Sequence, residues 1–225
     1  MFNLVSGFLP SWSPLQTLPP PYSALEAIVS NLPSLLHGDG TALSAAVAAL
    51  ALLPLPEEAR ELRAFDVDSN IDLTALLAMA DSPTAPLLHA LFRDYSLLTS
   101  AYLLEPGQRG APCRAEVPPQ LAVPLWNLAH ALGLPPFMEY TTYCLANFRR
   151  LDGAPLDGGP TPWDELALIR KMDGGPEEST FVLVHSEIEG HSGAPSILRI
   201  SASSSQGVGP PSSGAPSRRL KFARQ

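Results

Sequence analysis

Charge is scarce in this chain. Only 16 % of its 225 residues are Asp, Glu, Lys or Arg, against about a quarter in ordinary soluble domains. Cations are the scarcer sign: 14 Lys and Arg face 22 Asp and Glu, a net charge of −8. Four of the cations stand in the last eight residues, Arg218 to Gln225, which hold no acid, so residues 1–217 carry 10 cations against 22 acids. Phosphate backbones are held by clustered cations, which excludes broad nucleic-acid binding. Cysteine is nearly absent. Cys113 and Cys144 are far apart and form neither C-x-x-C nor a zinc spacing, which excludes a disulfide framework and predicts a reducing, cytoplasmic setting. The longest apolar run, Ala42 to Leu53, is interrupted by Ser44 and is too short to span a bilayer. No membrane partner is expected. Residues Met1 to Gly7 hold no basic residue, so no secretory or mitochondrial signal is expected there. Clean period-two alternation is missing, and so is a βαβ rhythm. The expected fold class is therefore all-α.

Apolar residues make up 45 % of the chain, enough for a packed core and too many for a wholly disordered chain. The 25 prolines are spread along it and predict many short helices. Phe8 to Pro21 reads as an extended, proline-punctuated arm. Ser23 with Glu26 has the form of a capping box. Leu25, Ile28, Val29, Leu32, Leu35 and Leu36 follow at helical spacing, up to Gly38 and Gly40. Thr41 is placed to cap a second helix, Ala42 to Leu53, whose all-round Ala/Leu surface predicts burial. Leu87 to Leu104 forms a strong helix, with Leu87, Leu91, Tyr95, Leu98 and Tyr102 on one face. Glu105 to Pro119 is a loop. A helix over 120–132 stops at Gly133, with Pro135 and Pro136 beyond it. Further helices are expected over 137–148, 163–171 and 176–189. The last opens on Glu177 and Glu178, where the helix dipole favours acids. The apolar run Phe181 to Val184 is compatible with a short strand, but flanking acids and the four-residue spacing of Phe181 and His185 favour helix. Residues 201–217 contain thirteen Ser, Gly or Pro in seventeen positions. They cannot bury enough surface to offset ordering entropy, so 201–225 is expected to be a disordered tail.

Few motifs carry chemistry. Asp66-Val-Asp68-Ser-Asn70-Ile-Asp72 imitates a calcium loop, but Ile71 stands where glycine is needed and Leu77 where a bidentate glutamate is needed. Phosphate-cradling loops, nucleophile elbows and H-E-x-x-H are missing. Of the five histidines, His37 sits at a helix end, and His89 and His130 lie within helices. His185 shares a helix face with Phe181, one turn earlier. That pair suits an aromatic pocket, although a satisfied core histidine is the commoner outcome of such spacing. Tyr140 and Tyr143 form an i, i+3 pair that by spacing alone is more often core than site.

Four blocks of sequence resemble the indoleamine 2,3-dioxygenase family. The first runs Gly7-Phe-Leu-Pro10, Pro14-Leu15 and Leu18-Pro19 into the Leu-rich helix to Leu36. The second is Ser100-Ala-Tyr102-Leu. The third is Val117 to Pro124, Leu132 to Pro136, Tyr140, and Cys144-Leu-Ala-Asn147-Phe148. The fourth is Gly174 to Val184 with Glu187-Ile-Glu189. They cover about residues 1–200 in family order.

The resemblance implies a haem b enzyme that opens the indole ring of L-tryptophan, or of a related indoleamine, with O₂ to give N-formylkynurenine, in tryptophan catabolism by the kynurenine pathway. It places Tyr140, Tyr143 and Phe181 around the substrate and His185 in the distal pocket, as a hydrogen-bonding and not an axial group. Phe148 stands where the family often has tryptophan. By the same resemblance, 1–173 is a small N-terminal helical domain and 174–200 is the first helix of an incomplete haem-binding domain. The family's proximal histidine falls in the unmatched part. The implied metal ligand in this chain is therefore none, haem binding is expected to be unstable, and the isolated chain is expected to be inactive. The alternative is a non-catalytic helical fragment or a binding partner of a full-length enzyme. The sequence says nothing of oligomeric state.

Overall fold

The computed structural model describes residues 2–3, 7–10, 12–57, 82–156 and 161–192. The expected tail 201–225 and the calcium-like run 66–72 lie outside them. Two short strands, β1 (Phe2–Asn3) and β2 (Gly7–Pro10), pair antiparallel where an unpaired arm was expected. A single turn at Pro20–Tyr22 leads into α1 (Ser23–Ser30), α2 (Leu32–Leu36) and α3 (Ala42–Ala49). The long helix α4 (Ala85–Leu104) packs against α5 (Pro119–Leu132). A π-helical turn at Thr141–Leu145 precedes the antiparallel pair β3 (Phe148–Arg150) and β4 (Leu166–Leu168), and α6 (Pro176–His191) follows. The fold is helical in character, as expected, with two minimal ribbons added.

Local chemistry explains where the elements depart from expectation. The helix expected over 23–36 breaks at Asn31, because Pro33 has no N–H to offer the carbonyl four residues back and instead opens α2. The helix expected over 42–53 ends at Ala49. Pro54 cannot donate to Leu50, and Leu50 turns extended with ψ 121°. Only Leu43 and Val47 of α3 are buried; its alanine side faces solvent. The caps also differ. Ser23 Oγ donates to Pro20 O at 2.7 Å, and Glu26 makes no capping box. Asp39 Oδ1, rather than Thr41, accepts the N–H groups of Thr41 and Ala42 at the head of α3.

Residues 137–148 and 163–171 do not form the two expected helices. Glu139 captures the N–H groups of Thr141 and Thr142 at 2.9 and 2.7 Å, together with both hydroxyls, which sets the π-helical turn. Buried Asn147 then exchanges side-chain bonds of 2.9 and 2.8 Å with the backbone of Arg170. This pulls the following residues into extended pairing with 166–168. Such a bond spans 23 positions, which no local pattern displays.

The main core gathers α1, α2, α3 and α5 around α4. Helix α4 is buried continuously from Ala90 to Thr99, not on one face alone. A smaller cluster of Leu9, Cys144, Leu145, Phe148, Leu166, Leu168, Val182 and Leu183 seats α6. Tyr143 packs against both.

Four charged side chains lie inside among the described residues: Glu105, paired with Arg109 and Arg114, and a group of three. Arg93, Asp94 and Arg170 are all nearly inaccessible. Asp94 accepts from Arg93 Nε at 2.8 Å and from Arg170 Nη2 at 2.9 Å. Arg170 also reaches Glu26 on α1 at 2.5 and 3.0 Å. Arg93 Nη1 donates to Leu15 O and Ala146 O at 3.1 and 3.3 Å. Removing one member of a buried charge network leaves the others uncompensated. Asp94→Ala is therefore expected to destabilise the fold by about 3–5 kcal/mol, measured by urea unfolding.

His89, stacked 5.0 Å from the Trp12 ring, is held neutral, because burial pushes its pKa from 6.5 down to about 4. The unfolded chain thus takes up this proton first. Stability from this group is complete above pH 6.5 and is lost as pH falls towards 4, at up to about 1.4 kcal/mol per pH unit. Unfolding curves between pH 7 and 4.5 should show that slope, and His89→Gln should flatten it.

Candidate functional site

Helix α6 is fixed at its start by its own third residue. Glu178 turns back to accept the N–H groups of Met172, Asp173 and Gly174 at 2.6, 3.0 and 2.7 Å. It also accepts the Tyr143 hydroxyl at 2.7 Å. Gly174 has φ +83°, and a Cβ there would meet the Pro33 ring at 3.0 Å; only glycine allows the loop this close to α2. Val182, Leu183, Ser186 and Gly190 form the buried side of α6. Ser186 Oγ donates to the carbonyls of Cys144 and Val182 at 3.1 and 3.0 Å.

The outward side carries the aromatic candidates. Phe181 and His185 stack at 4.3 Å between ring centroids, tilted by 46°. Tyr140 meets His185 edge-on at 5.8 Å and 79°. Phe181 is 55 % exposed and Tyr140 42 %. His185 Nδ1 lies 2.6 Å from Phe181 O. A carbonyl can only accept, so Nδ1 carries the proton and Nε2 of the neutral ring is left as an acceptor. Burial, and then the Glu189 carboxylate, raise the Tyr140 pKa above its ordinary value. Tyr140 therefore stays protonated at neutral pH.

The structure thus brings Tyr140, Phe181 and His185 together and turns Tyr143 away. Tyr143 is half-buried with its hydroxyl on Glu178, and burial followed by that carboxylate raises its pKa far above the ordinary range. The trio forms an open face. A shallow cleft of about 300 Å³ lies elsewhere, on α5 beside Val123 and Trp126. Sequence reasoning credited Glu178 only with favouring the helix dipole and gave Glu189 no role. The Gly174-Gly175-Pro176 turn just before Glu178 was the available sign that its carboxylate would find backbone donors.

Three of the four remaining histidines, all four of them described, are engaged. His37 Nε2 lies 2.9 Å from Asp173 O and 3.1 Å from its carboxylate. His89 stacks on Trp12, and His130 stacks on Trp126 at 4.3 Å with Nδ1 on its carbonyl. His191 is exposed at the end of α6. Among the described residues no cluster of three metal-donating side chains occurs, and no helix is long and apolar enough to cross a membrane. Burial pushes the Cys144 thiol up to about 11, which removes it as a nucleophile near neutral pH.

A helical body that sets Phe181 and His185 of one helix beside the Tyr140 ring is the setting in which the comparisons fall. The chain belongs to the indoleamine 2,3-dioxygenase family, whose model matches residues 2–208. It is 28 % identical to indoleamine 2,3-dioxygenase acdA of Aspergillus candidus over 193 residues, 83 % of this chain and 39 % of that protein. It is 30 % identical to the indoleamine 2,3-dioxygenase of Saccharomyces cerevisiae over 192 residues, 81 % of this chain and 35 % of that one. Over 93 residues it is 45 % identical to a myoglobin of Haliotis diversicolor, covering 41 % of this chain and 21 % of the relative. The chain therefore spans well under half the length of these relatives.

Glu178→Ala would strand the Tyr143 hydroxyl and three backbone donors at once. A loss of about 2–3 kcal/mol is expected from charge-assisted bonds of this kind. Chemical denaturation should show it, with Tyr143→Phe giving a smaller loss.

Proposed function

We propose that α6 and Tyr140 form the substrate-side wall of a haem-dependent dioxygenase that opens the indole ring of L-tryptophan or a related indoleamine with O₂, giving N-formylkynurenine. One observation carries the reading: the Phe181 ring, the Tyr140 edge and the lone acceptor His185 Nε2 share one face. A planar aromatic that stacks on Phe181 can donate its ring N–H to that nitrogen. Indole has both features. On this reading α6 opens a haem domain, and residues before 174 form the smaller helical unit beside it. The two free cysteines, Cys113 exposed and Cys144 buried, accord with a reducing cytoplasmic setting.

Haem supplies the binding and activation of O₂ when present. The described residues fit one wall of such a site, and the reading assigns no iron ligand among them. His37, His89 and His130 are held by the contacts above, His185 belongs to the substrate side, and His191 stands exposed at the far end of α6. No step through haem is therefore derived from these residues.

The test has two arms on the purified 225-residue chain. In the first, L-tryptophan at millimolar concentration is followed by NMR. Shifts at Tyr140, Phe181 and His185 are expected, and Phe181→Ala should abolish them by removing the aromatic wall. Shifts confined to other residues would overturn the substrate assignment. In the second arm, haem is titrated and N-formylkynurenine assayed. Broad, weak uptake without turnover is expected. A one-to-one complex with a sharp histidine-ligated spectrum and turnover would show that this chain supplies its own iron ligand.

A further inference from the structure

Phe181, His185 and Glu189 stand four residues apart on α6, which puts them on one stripe of the helix. Phe181 and His185 stack at 4.3 Å, and the Tyr140 ring meets His185 edge-on. The Tyr140 hydroxyl faces the Glu189 carboxylate closely enough to feel its charge. Glu189 is half-buried and forms no ion pair among the described residues. Helix α6 holds no Lys or Arg. Elsewhere Arg93 and Arg170 are held on Asp94, Arg109 and Arg114 on Glu105, and Arg150 on Asp152. The stripe therefore ends in an unneutralised carboxylate beside two aromatic rings and an imidazole.

Each part of that arrangement favours a cation. A half-buried carboxylate attracts one more strongly than a fully solvated acid does, because less water screens it. The faces of Phe and Tyr rings attract one through their quadrupoles. The spacing adds a length. Glu189 lies about 6 Å beyond His185 along the helix axis, which is the reach of a two-carbon arm between a ring and an ammonium group. A ligand whose ring lies on Phe181 and donates its N–H to His185 Nε2 can therefore set a terminal ammonium on Glu189. A carboxylate on the carbon that bears the ammonium would be brought against the same acid and repelled.

We propose that Glu189 is the ammonium-binding residue of this face and makes it selective for arylethylamines, cationic amines that carry no carboxylate. The inference rests on the reading of Phe181, Tyr140 and His185 as the seat of an indole ring, and it adds the end of the ligand that decides affinity. Among indoles, amines bind ahead of amino acids, and amino acids ahead of indole acids.

Four ligands that share the ring separate the parts. Tryptamine carries the ammonium alone, L-tryptophan both charges, indole-3-propionate the carboxylate alone, and 3-methylindole neither. Each is titrated into the 225-residue chain and followed by NMR at Phe181, Tyr140 and His185. Tryptamine is expected to bind about fivefold tighter than 3-methylindole, with indole-3-propionate weakest and L-tryptophan between the amine and the acid. The advantage of tryptamine should shrink as salt is raised. Glu189→Gln should bring tryptamine down to the level of 3-methylindole and leave 3-methylindole unchanged, which also shows that the face is intact. Glu189→Lys should reverse the order and place indole-3-propionate first. Equal affinities for the four ligands would overturn the inference while leaving the ring seat standing. So would a tryptamine advantage that survives Glu189→Gln. So would a Glu189→Gln chain that binds tryptamine and 3-methylindole equally less well than the parent, because the acid would then act only by holding Tyr140. If no ligand moves Phe181 or Tyr140, the ring seat itself is wrong and the inference falls with it.

Discussion

One guanidinium holds distant parts of this chain in register. Arg170 follows β4, yet its side chain ends between Glu26 of α1 and Asp94 of α4. Its backbone is clasped by Asn147, the residue just before the opposite ribbon strand. Asp94 in turn orients Arg93, which reaches the carbonyls of Leu15 and Ala146. Four separate stretches of sequence thus meet at one buried charge. Taking these ions out of water is costly, so the arrangement is a stronger argument for a unique geometry than for high stability. Together with the contacts of His37 to Asp173 and of Tyr143 to Glu178, it fixes where the ribbon and α6 sit against the bundle.

Local signals and long-range ones were legible to very different degrees. Gly133 with φ +66° ends α5 where Gly133 and the prolines beyond it said it would. The apolar repeat over 87–104 and the acidic opening at Glu177 likewise marked real helices. What misled was amphipathic-looking sequence whose fate is settled elsewhere. Residues 137–148 have helical spacing, but Glu139 and Asn147 bond in ways that end a helix. Residues 163–171 look helical until Leu166 to Leu168 is given a partner in Phe148 to Arg150. Nothing in the local sequence marks Arg93 and Asp94 as buried, because their partners Leu15, Ala146 and Arg170 lie 53 to 78 positions away.

The candidate site was legible in outline. Phe181 and His185 stack because four residues separate them on one helix, which spacing alone can state. That Tyr140 joins them and Tyr143 does not depends on the π-helical turn, which rotates two tyrosines three residues apart onto different sides. The carboxylates that govern both hydroxyls, Glu189 and Glu178, also come from α6. The tyrosines are therefore oriented by the helix they face.

The two cores are unequal, and this sets an order of events. The bundle around α4 is broad and continuous, whereas the cluster that seats α6 has eight buried side chains, two of them its own, Val182 and Leu183. Opening the smaller cluster exposes far less apolar surface than opening the larger. Helix α6 is therefore expected to open before the bundle, which remains as the platform onto which it closes again.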